Sequence, residues 1–484
     1  MVFLSLEFIF GFLPIFLIVY LLIPKKSGAW MECSNLVLLI GSLFFYAVGE
    51  PVYVLLMVAS ILLNYLMARG IEYYAGKKAY LGWRKSLLLI AVLFNGILLF
   101  VFKYADFVSL NINRLISYIN ANLNIGIAFL PHLGLDMPIG ISFYTFQILS
   151  YVIDVYYQKY PAEKNIISLG TYIAMFPQLI AGPIVKYEEV SKRLRKRKIT
   201  PIAIDYGLKI FIFGLGAKVL IANRIGILWT DIERIGFESI STPLAWMGAF
   251  AYSFQIYFDF FGYSLMAIGL GKMLGFSLPE NFKDPYCSRS VTEFWQRWHI
   301  TLGRWLRDYI YIPLGGNRCS RIYWLRNVAV VWLFTGIWHG ADWNFLIWGA
   351  GFGILVMIEK LFLKKILDRY RIVSALYMLL IIPISWIVFA ISDLNRLVVY
   401  LSRMFPFIQM EYESNINSRD FIRYGKLYGI LFVIAGICCI PRVRKQLHYI
   451  QKKKLGAVVA FLIFILATYF LSQGLDNPFL YYRF

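Results

Sequence analysis

The stretch VAVVWLFTGIWHGADWNFLIWGAGFGILVMIE, residues 328–359, consists of two apolar arms joined by a short polar turn. A helix over 328–338 rises only about 17 Å, which is roughly half of the ~30 Å hydrocarbon core of a bilayer. His339 therefore falls near the middle of a membrane, followed closely by Asp342 and Asn344. The stretch predicts a helical membrane protein that keeps a polar turn at depth.

The composition of the whole chain agrees with that prediction. Its 484 residues are 60% hydrophobic and only 15% charged, with a mean hydropathy of +0.65. Soluble domains carry about 25% charged residues, so the sequence predicts an all-α polytopic membrane protein. The formal net charge of +21 lies in short loops between apolar runs, which is typical of positive-inside topology and contact with anionic lipids. A nucleic-acid-binding domain is not indicated, because such a domain collects its basic residues on one face.

Apolar runs of nearly membrane-spanning length recur along the chain and predict about 10–12 transmembrane helices plus re-entrant segments. We expect them to form a single membrane domain over 1–484. The first run has no basic n-region or cleavage site and is predicted to be a retained helix. The five cysteines show no paired spacing, so neither a disulfide framework nor a metal site is predicted. The runs lie at 7–23, 33–49, 51–68, 87–103, 140–157, 205–222, 245–272, 343–363, 372–393, 427–440 and 456–472.

Basic loops orient these runs, because loops rich in Lys and Arg stay in the cytoplasm. Between the loops 77–85 and 186–198 lie two clear runs and a third apolar stretch, YIAMFPQLIAGPIV (172–185), which proline and glycine interrupt. A re-entrant segment that does not cross keeps both loops cytoplasmic, and such broken segments are tolerated inside protein. Both chain termini are then extracytoplasmic. The other basic loops in this count are Lys25–Lys26, 318–326, 360–371 and 442–454.

His339 is the sharpest candidate for a catalytic residue. Ionisable groups at membrane depth are rare and commonly mark pathways or sites. Histidine also titrates in the range that suits a general base at neutral pH. The structural alternative is a histidine that is hydrogen-bonded inside a helix bundle and does no chemistry. Asp342 or a backbone carbonyl is a candidate to fix the tautomer of the ring, and Asn344 belongs to the same polar turn.

In a second polar stretch, FWQRWHITLGRWLRDYIYIPLGGNR (294–318), residues 294–312 are predicted to form a helix with two apolar sides and a polar stripe between them. Arg297 and Arg304 lie in the stripe, which suits a donor that bears phosphate, and His299 lies on a third side. The structural alternative is an interfacial anchor held by an Arg304–Asp308 pair. At about 100° per residue, the main apolar face carries Phe294, Trp298, Leu302, Trp305, Tyr309 and Ile312.

Asp259 lies inside the apolar run 245–272, with Gln255 one turn before it. An intramembrane carboxylate needs a partner, and Arg297 or Arg304 is the nearest candidate in sequence. The expected role of Asp259 is therefore a structural ion pair.

Together these stretches resemble the membrane-bound O-acyltransferase family, and within it the branch that O-acetylates alginate. The resemblance spans nearly the whole chain, with its core motifs over 138–350. It implies a ring of helices around a thin centre, with His339 as a catalytic residue and His299 as a second functional residue. The matching stretches are PIGISFYTFQILSYVIDVY (138–156), FPQLIAGPI (176–184), SFQIYFDFFGYS (253–264), GIWHGADWNFLIWG (336–349) and the stretch 294–318.

The resemblance also implies the reaction and its participants. An acyl group, most simply acetyl, passes from a cytoplasmic thioester to an external hydroxyl in the modification of a cell-surface polysaccharide. The donor is acetyl-CoA or an acyl-phosphopantetheine carrier, and no bound cofactor is expected. The expected partners are a periplasmic or extracellular acyltransferase and the polysaccharide, at the bacterial cell membrane. The loop 186–198 and the stripe with Arg297 and Arg304 are candidates to attract donor phosphates.

Three alternatives remain open at this point. D-Alanyl transfer to teichoic acid is a neighbouring reaction in the same superfamily, although the alginate-type motifs argue against it. A proton-coupled transporter or flippase would use His339 and Asp259 as a relay, but transporters often contain paired broken helices in internal repeats, and the sequence shows none. A catalytically silent scaffold for polymer export is disfavoured because both histidines are present.

The chain ends in DNPFLYYRF (476–484), after a last apolar run whose upstream loop is basic. The positive-inside rule places this end outside the cytoplasm, where an aromatic belt at the membrane interface is the structural interpretation. The segment 479–484 also resembles the aromatic C-terminal hexapeptide, Phe-Ile-Tyr-Phe-X-Phe, of envelope acyltransferases or their small partners. That resemblance implies that Tyr481 is an acceptor that carries the acyl group.

Overall fold

The computed structural model describes residues 3–24, 30–180, 182–408, 418–474 and 479–480. These residues are almost entirely helical, and no β-strand occurs among them. Eight of the described helices are long and apolar enough to cross a membrane. The prediction of an all-α polytopic membrane protein is therefore confirmed. The chain forms two compact units, Met1–Lys198 and Ile199–Phe484.

In the first unit, the apolar stretch 172–185 is interrupted, as the sequence predicts, and does not form one continuous helix. One short helix ends at Ala174, and a single further turn ends at Leu179. The segment is thus broken in the way that its prolines and glycines favour. The helices of this unit are α1 Glu7–Leu22, α2 Trp30–Gly49, α3 Tyr53–Tyr73, α4 Lys78–Leu123, α5 Ile141–Tyr156, α6 Ile166–Ala174, α7 Phe176–Leu179 and α8 Tyr187–Arg195.

The second unit contains the described candidates for the catalytic site, including both histidines and Asp259. Its last apolar runs form membrane-length helices, and the short run at 427–440 belongs to a helix that begins earlier, at Asp420. The helices are α9 Pro201–Ile235, α10 Thr242–Met273, α11 Val291–Arg297, α12 Ile300–Leu306, α13 Arg321–His339, α14 Trp343–Arg369, α15 Arg371–Ala390, α16 Leu394–Met404, α17 Asp420–Cys438, α18 Pro441–Gln451 and α19 Lys454–Ser472.

Helices α9 and α10 approach each other closely at two pairs of glycines. A Cβ atom added at Gly214 would lie 2.5 Å from the carbonyl oxygen of Gly262. A Cβ atom added at Gly207 would lie 2.6 Å from the carbonyl oxygen of Gly269. Small residues let membrane helices pack backbone to backbone in this way. We call these four residues the glycine seam.

The glycine seam sets the register of the next turn along both helices. Four residues after Gly214, α9 presents Lys218, and three residues before Gly262, α10 presents Asp259. Lys218 also lies in a widened π-helical turn, Ala217–Ala222, a distortion that is frequent at functional sites.

A second close approach joins the two arms of the stretch 328–359. A Cβ atom added at Gly336 would lie 2.5 Å from the carbonyl oxygen of Phe345, and one at Gly349 would lie 2.5 Å from that of Trp332. Gly336 comes one turn before His339, so this contact fixes the end of α13 against the beginning of α14.

Candidate active site

His339 is the last residue of α13 and is 3% exposed. Aromatic rings surround it, with the Trp348 ring nearly perpendicular at a centroid distance of 4.9 Å and the Phe389 ring at 5.4 Å. The polar turn that the sequence predicts is therefore present, and its histidine points into a buried aromatic environment.

Asp342 and Asn344 hold the ends of helices around His339. Asp342 accepts a hydrogen bond from the backbone N–H of Trp343 at 2.8 Å and thus caps α14. The Asn344 amide donates to the carbonyl oxygens of Val388 and Phe389, at 3.2 and 2.9 Å, and satisfies the C-terminal end of α15. These contacts support a structural role for both residues. The use of Asp342 to fix the tautomer of His339 stays a prediction.

His299 lies at a break between α11 and α12, and the continuous helix predicted over 294–312 is wrong. The backbone of His299 is left-handed, with φ 44° and ψ 52°. Its neighbours bond instead to the segment 281–283, where Ile300 N–H donates to Asn281 O at 3.0 Å and Lys283 N–H donates to Arg297 O at 2.9 Å. Helical periodicity cannot foresee a left-handed residue, which is uncommon outside glycine.

The break buries His299, which is 1% exposed, and fixes its tautomer. The side-chain oxygen of Asn281 accepts from the backbone N–H and the hydroxyl of Thr301, at 3.2 and 2.9 Å. The same oxygen lies 3.1 Å from His299 Nδ1, so Nδ1 carries the proton and Nε2 has the lone pair. His299 lies outside the candidate membrane spans, and burial lowers its pKa to about 3. The ring is therefore neutral at physiological pH.

Tryptophans of the two predicted stretches bring the histidines into one aromatic cluster. The Trp338 ring lies 6.1 Å from that of His299 and 5.0 Å from that of His339. On the other side, Trp386 connects Trp298, at 4.8 Å, with Trp348, at 6.1 Å. The predicted apolar face is buried at Phe294, Trp298, Leu302 and Trp305, whereas Ile312 is exposed.

The partner of Asp259 is Lys218 and not Arg297 or Arg304, so that part of the prediction is wrong. Lys218 Nζ lies 2.5 Å from Asp259 Oδ1, and both side chains are at most 2% exposed. The structural ion pair itself was expected. The glycine seam brings Lys218 to Asp259, although 41 positions separate them in the sequence.

The chain end lies in the same part of the unit. The backbone N–H of Leu480 donates to Asp259 Oδ2 at 2.8 Å, and Phe479 is 1% exposed. The Phe479 ring stacks on Tyr263 at 4.7 Å and lies 5.9 Å from Phe260. Phe260 in turn meets the His299 ring edge to face at 4.7 Å. These two described residues do not form an interfacial belt, and Tyr481 lies outside the described residues.

The profile of the membrane-bound O-acyltransferase family matches residues 163–402, which include both histidines and Asp259. A probable alginate O-acetylase AlgI of Pseudomonas putida is 38% identical over 408 residues, which cover 84% of this chain and 81% of that relative. The chain belongs to the membrane-bound O-acyltransferase family. It is a multi-pass bacterial membrane enzyme that transfers an acyl group to oxygen.

The acyltransferase is similar to two further kinds of envelope enzyme. A peptidoglycan O-acetyltransferase of Helicobacter pylori is 30% identical, over 99% of this chain and 96% of the relative. A teichoic acid D-alanyltransferase of Bacillus subtilis is 28% identical, over 48% of this chain and 61% of the relative.

The two arginines of the predicted stripe have different surroundings in the acyltransferase. Arg297 is held within its own helix, where Nη2 lies 2.5 Å from Glu293 Oε1. Arg304 is partly exposed on α12. The carboxylate of Asp308 accepts from Arg307 Nε at 2.8 Å. Donor binding by Arg297 or Arg304 stays a prediction.

Two supporting residues of the acyltransferase escaped the sequence analysis. Asn281 fixes the His299 tautomer, as described above. Glu359, which is 2% exposed, accepts from the backbone N–H groups of Val291 and Thr292, at 2.5 and 2.8 Å. It thereby holds the N-terminus of α11, eight residues before His299. The sequence does offer a signal for Glu359, because it is a carboxylate at the end of an apolar run. It offers no such signal for Asn281.

Proposed function

We propose that the acyltransferase moves an acetyl group from a cytoplasmic thioester to a hydroxyl on the outer side of the membrane, for modification of a cell-surface polysaccharide. The relatives that cover most of the chain are named for O-acetylation, of alginate and of peptidoglycan. The D-alanyltransferase covers only 48% of the chain. The observation that carries the proposal is the shared aromatic cluster of His299, His339 and the chain end.

In this proposal His339 is the general base. Its imidazole takes the proton of the acceptor hydroxyl while the hydroxyl oxygen attacks the thioester carbonyl carbon. The C–O bond forms, the C–S bond breaks, and the departing thiolate recovers the proton from His339. The rings of Trp348 and Phe389 hold the imidazole and exclude water from it. General-base catalysis of this kind contributes about 10²–10⁴-fold to a rate.

His299 is the second functional residue in this proposal. Because its Nδ1–H points to Asn281, Nε2 can accept a hydrogen bond from a substrate hydroxyl or amide. Its neutral ring adds no charge to the aromatic cluster, so it orients the substrate and leaves proton removal to His339.

Tyr481 receives the acetyl group first in the proposed sequence of transfers. The two residues before it lie in the interior, bound to Asp259 and stacked on Tyr263. The tyrosine hydroxyl loses its proton to His339 and becomes an acetyl ester. A periplasmic or extracellular acyltransferase then takes the acetyl group from the tyrosine oxygen and delivers it to the polysaccharide. Such a relay divides one difficult transfer into two easier ones.

Acetyl-CoA or an acyl-phosphopantetheine carrier is the proposed donor, and both bear phosphate. The basic segment 186–198 offers exposed cations for these phosphates, namely Lys192, Arg193, Arg195, Lys196 and Lys198. Arg197 of that segment has a different role. It is 2% exposed and donates to Tyr20 Oη at 2.9 Å and to Asn35 Oδ1 at 2.6 Å, so it holds the first unit together.

Labelled transfer tests the proposal directly. Purified acyltransferase in liposomes is given acetyl-CoA labelled in the acetyl group or, separately, a D-alanyl carrier protein. We expect label from acetyl-CoA on the protein, and a loss of about 10²–10⁴-fold in the rate for His339→Gln. His448→Gln is the matched control, because His448 is exposed on α18. Equal rates in the two variants would refute the role of His339, and label from the D-alanyl carrier alone would refute acetyl transfer.

A further inference from the structure

A groove of about 420 Å³ lies in the second unit, between α10, α15 and α17, and neither histidine is among its lining residues. Along α15 its wall is formed by one helical face, which begins at Arg371 and continues to Pro383 at intervals of three or four residues. Most of the lining is apolar, including Phe250, Phe254, Met378, Leu379 and Ile382. A cavity of this size, apolar with a few convergent polar groups, is typical of a ligand site.

One end of this groove is polar and positively charged. Arg289 and Arg371 line it and are exposed, and neither guanidinium forms an ion pair with any residue that the structure describes. Ser288 also lines it. The Ser288 hydroxyl is buried, with the residue 6% exposed, and has no hydrogen-bond partner among the described residues. Ser374 donates to the carbonyl oxygen of Arg289 at 2.6 Å and so fixes the backbone beside it.

The charged end faces the cytoplasm. Arg371 closes the basic segment 360–371, and the groove residue Ile440 comes immediately before α18, which carries the basic segment 442–454. Segments this rich in Lys and Arg stay on the cytoplasmic side. The arginines are thus at the level of the inner-leaflet headgroups, and the apolar part of the groove extends from them along α15.

We propose that this groove binds one anionic phospholipid of the inner leaflet, such as phosphatidylglycerol. Its phosphate meets Arg289 and Arg371 and accepts a hydrogen bond from the Ser288 hydroxyl. An acyl chain follows the apolar face of α15. Basic pockets between membrane helices on the cytoplasmic side are suited to acidic headgroups, and the orphaned serine hydroxyl distinguishes this groove from general lipid contact.

The groove shares a wall with the active-site cluster. Tyr286 lines the groove and its ring lies 6.1 Å from Phe294 and 6.3 Å from Trp298. A lipid in the groove therefore packs behind the segment that carries His299. Through this contact, the bound lipid stabilises the segment that carries His299.

Lipid titration of the purified full-length protein in detergent tests the proposal. Binding is followed by native mass spectrometry and by the unfolding temperature, with phosphatidylglycerol and phosphatidylcholine compared. Two basic contacts at about 1 kcal/mol each correspond to roughly 30-fold in affinity. We expect the double variant Arg289→Gln/Arg371→Gln to lose this much affinity for phosphatidylglycerol. Arg442→Gln is the control, because it removes an exposed arginine on the same side of the membrane but outside the groove, and it should keep the parental affinity.

A second pair of variants tests the apolar part of the groove. Gly436 lines the groove, and a Cβ atom there meets open space, so Gly436→Phe fills the groove without a backbone clash. Gly429→Phe on the same helix also meets open space, outside the groove, and is its control. We expect only Gly436→Phe to abolish stabilisation by phosphatidylglycerol. Equal stabilisation by phosphatidylcholine, stabilisation by inorganic phosphate alone, or a full response in the arginine or Gly436 variants would overturn the proposal.

Discussion

The backbone N–H of Leu480 donates a hydrogen bond to Asp259 Oδ2 at 2.8 Å, while the other oxygen of the same carboxylate lies 2.5 Å from Lys218 Nζ. A single buried carboxylate thus joins two helices and the end of the chain. A buried charge is costly unless it is paired and hydrogen-bonded. The ion pair with Lys218 and the hydrogen bond from Leu480 together meet this requirement for Asp259.

Removal of one charge of this pair is expected to destabilise the protein strongly. Lys218→Met leaves the Asp259 carboxylate buried without its counter-ion, which typically costs about 3–5 kcal/mol. The control is Arg234→Met on the same helix, because Arg234 Nη1 lies 3.7 Å from Asp231 Oδ1 and its side chain is 77% exposed. An exposed pair of that kind contributes at most about 1 kcal/mol. The free energy of unfolding in mixed detergent measures both variants, and equal losses would contradict the importance of the buried pair.

Two double variants separate the charge of Asp259 from its hydrogen bond to the chain end. Both carry Lys218→Met, so no charge is left unpaired. Asp259→Asn keeps an oxygen that accepts from Leu480, whereas Asp259→Leu does not. We expect similar stabilities but much faster acetyl transfer in the double variant with asparagine. If the two transfer at equal rates, the hydrogen bond to Leu480 does not position the chain end.

Tyr481→Phe is expected to abolish acetyl labelling of the protein, because it removes only the hydroxyl that receives the group in the proposed relay. Tyr482→Phe is the matched control at the adjacent position and should retain labelling. Mass spectrometry of the C-terminal peptide locates the ester. Acetylation of the polysaccharide at the parental rate in Tyr481→Phe would show that the acetyl group does not pass through this residue.

His299 makes the stability of the fold sensitive to acid. Its pKa falls from 6.5 to about 3 on burial, so above pH 6.5 the ring is neutral in both states and contributes no pH dependence. Below pH 6.5 the unfolded chain takes up a proton that the folded chain does not. Stability therefore falls as the pH falls, by up to about 1.4 kcal/mol per unit. Unfolding of the parent and His299→Gln from pH 7.5 to 5 should give a steeper loss in the parent, and parallel curves would contradict the burial of a neutral ring.

Gly214→Ala is expected to destabilise the second unit, because its Cβ atom would lie 2.5 Å from the carbonyl oxygen of Gly262. Overpacking of this kind costs about 1–3 kcal/mol. Gly351→Ala in α14 is the control, since a Cβ atom there meets open space and alanine favours a helix by about 0.5–1 kcal/mol. Compared with the parent, we expect a lower unfolding temperature for Gly214→Ala and a higher one for Gly351→Ala. A neutral Gly214→Ala would show that the helices can separate without loss.

The sequence was sufficient for the features that depend on burial and spacing alone. The polar turn after His339, the broken stretch 172–185 and the buried side chains of Phe294 and Trp298 all follow from hydropathy and helical period. The left-handed backbone of His299 does not, because its cause is the hydrogen bonding of Asn281 and its neighbours, which are distant in sequence.

The partner of Asp259 was missed for a similar reason. Proximity in sequence favours Arg297 and Arg304, but packing between helices decides which cation forms the ion pair with Asp259. The signal was nevertheless present, since glycines recur at an interval of seven residues on both α9 and α10. Such a repeat indicates two helices in close contact, and counting outward from it leads to Lys218 and Asp259.

The glycine seam leaves α9 and α10 little freedom to slide or rotate, because each shift of one turn would drive a side chain into the opposing backbone. The two helices are therefore a rigid support for the Asp259 carboxylate. The proposed relay then places the required movement at the contact between Leu480 and Asp259 and not at the helices. In that proposal, the hydrogen bond from Leu480 to the stationary Asp259 carboxylate breaks and forms again in each cycle.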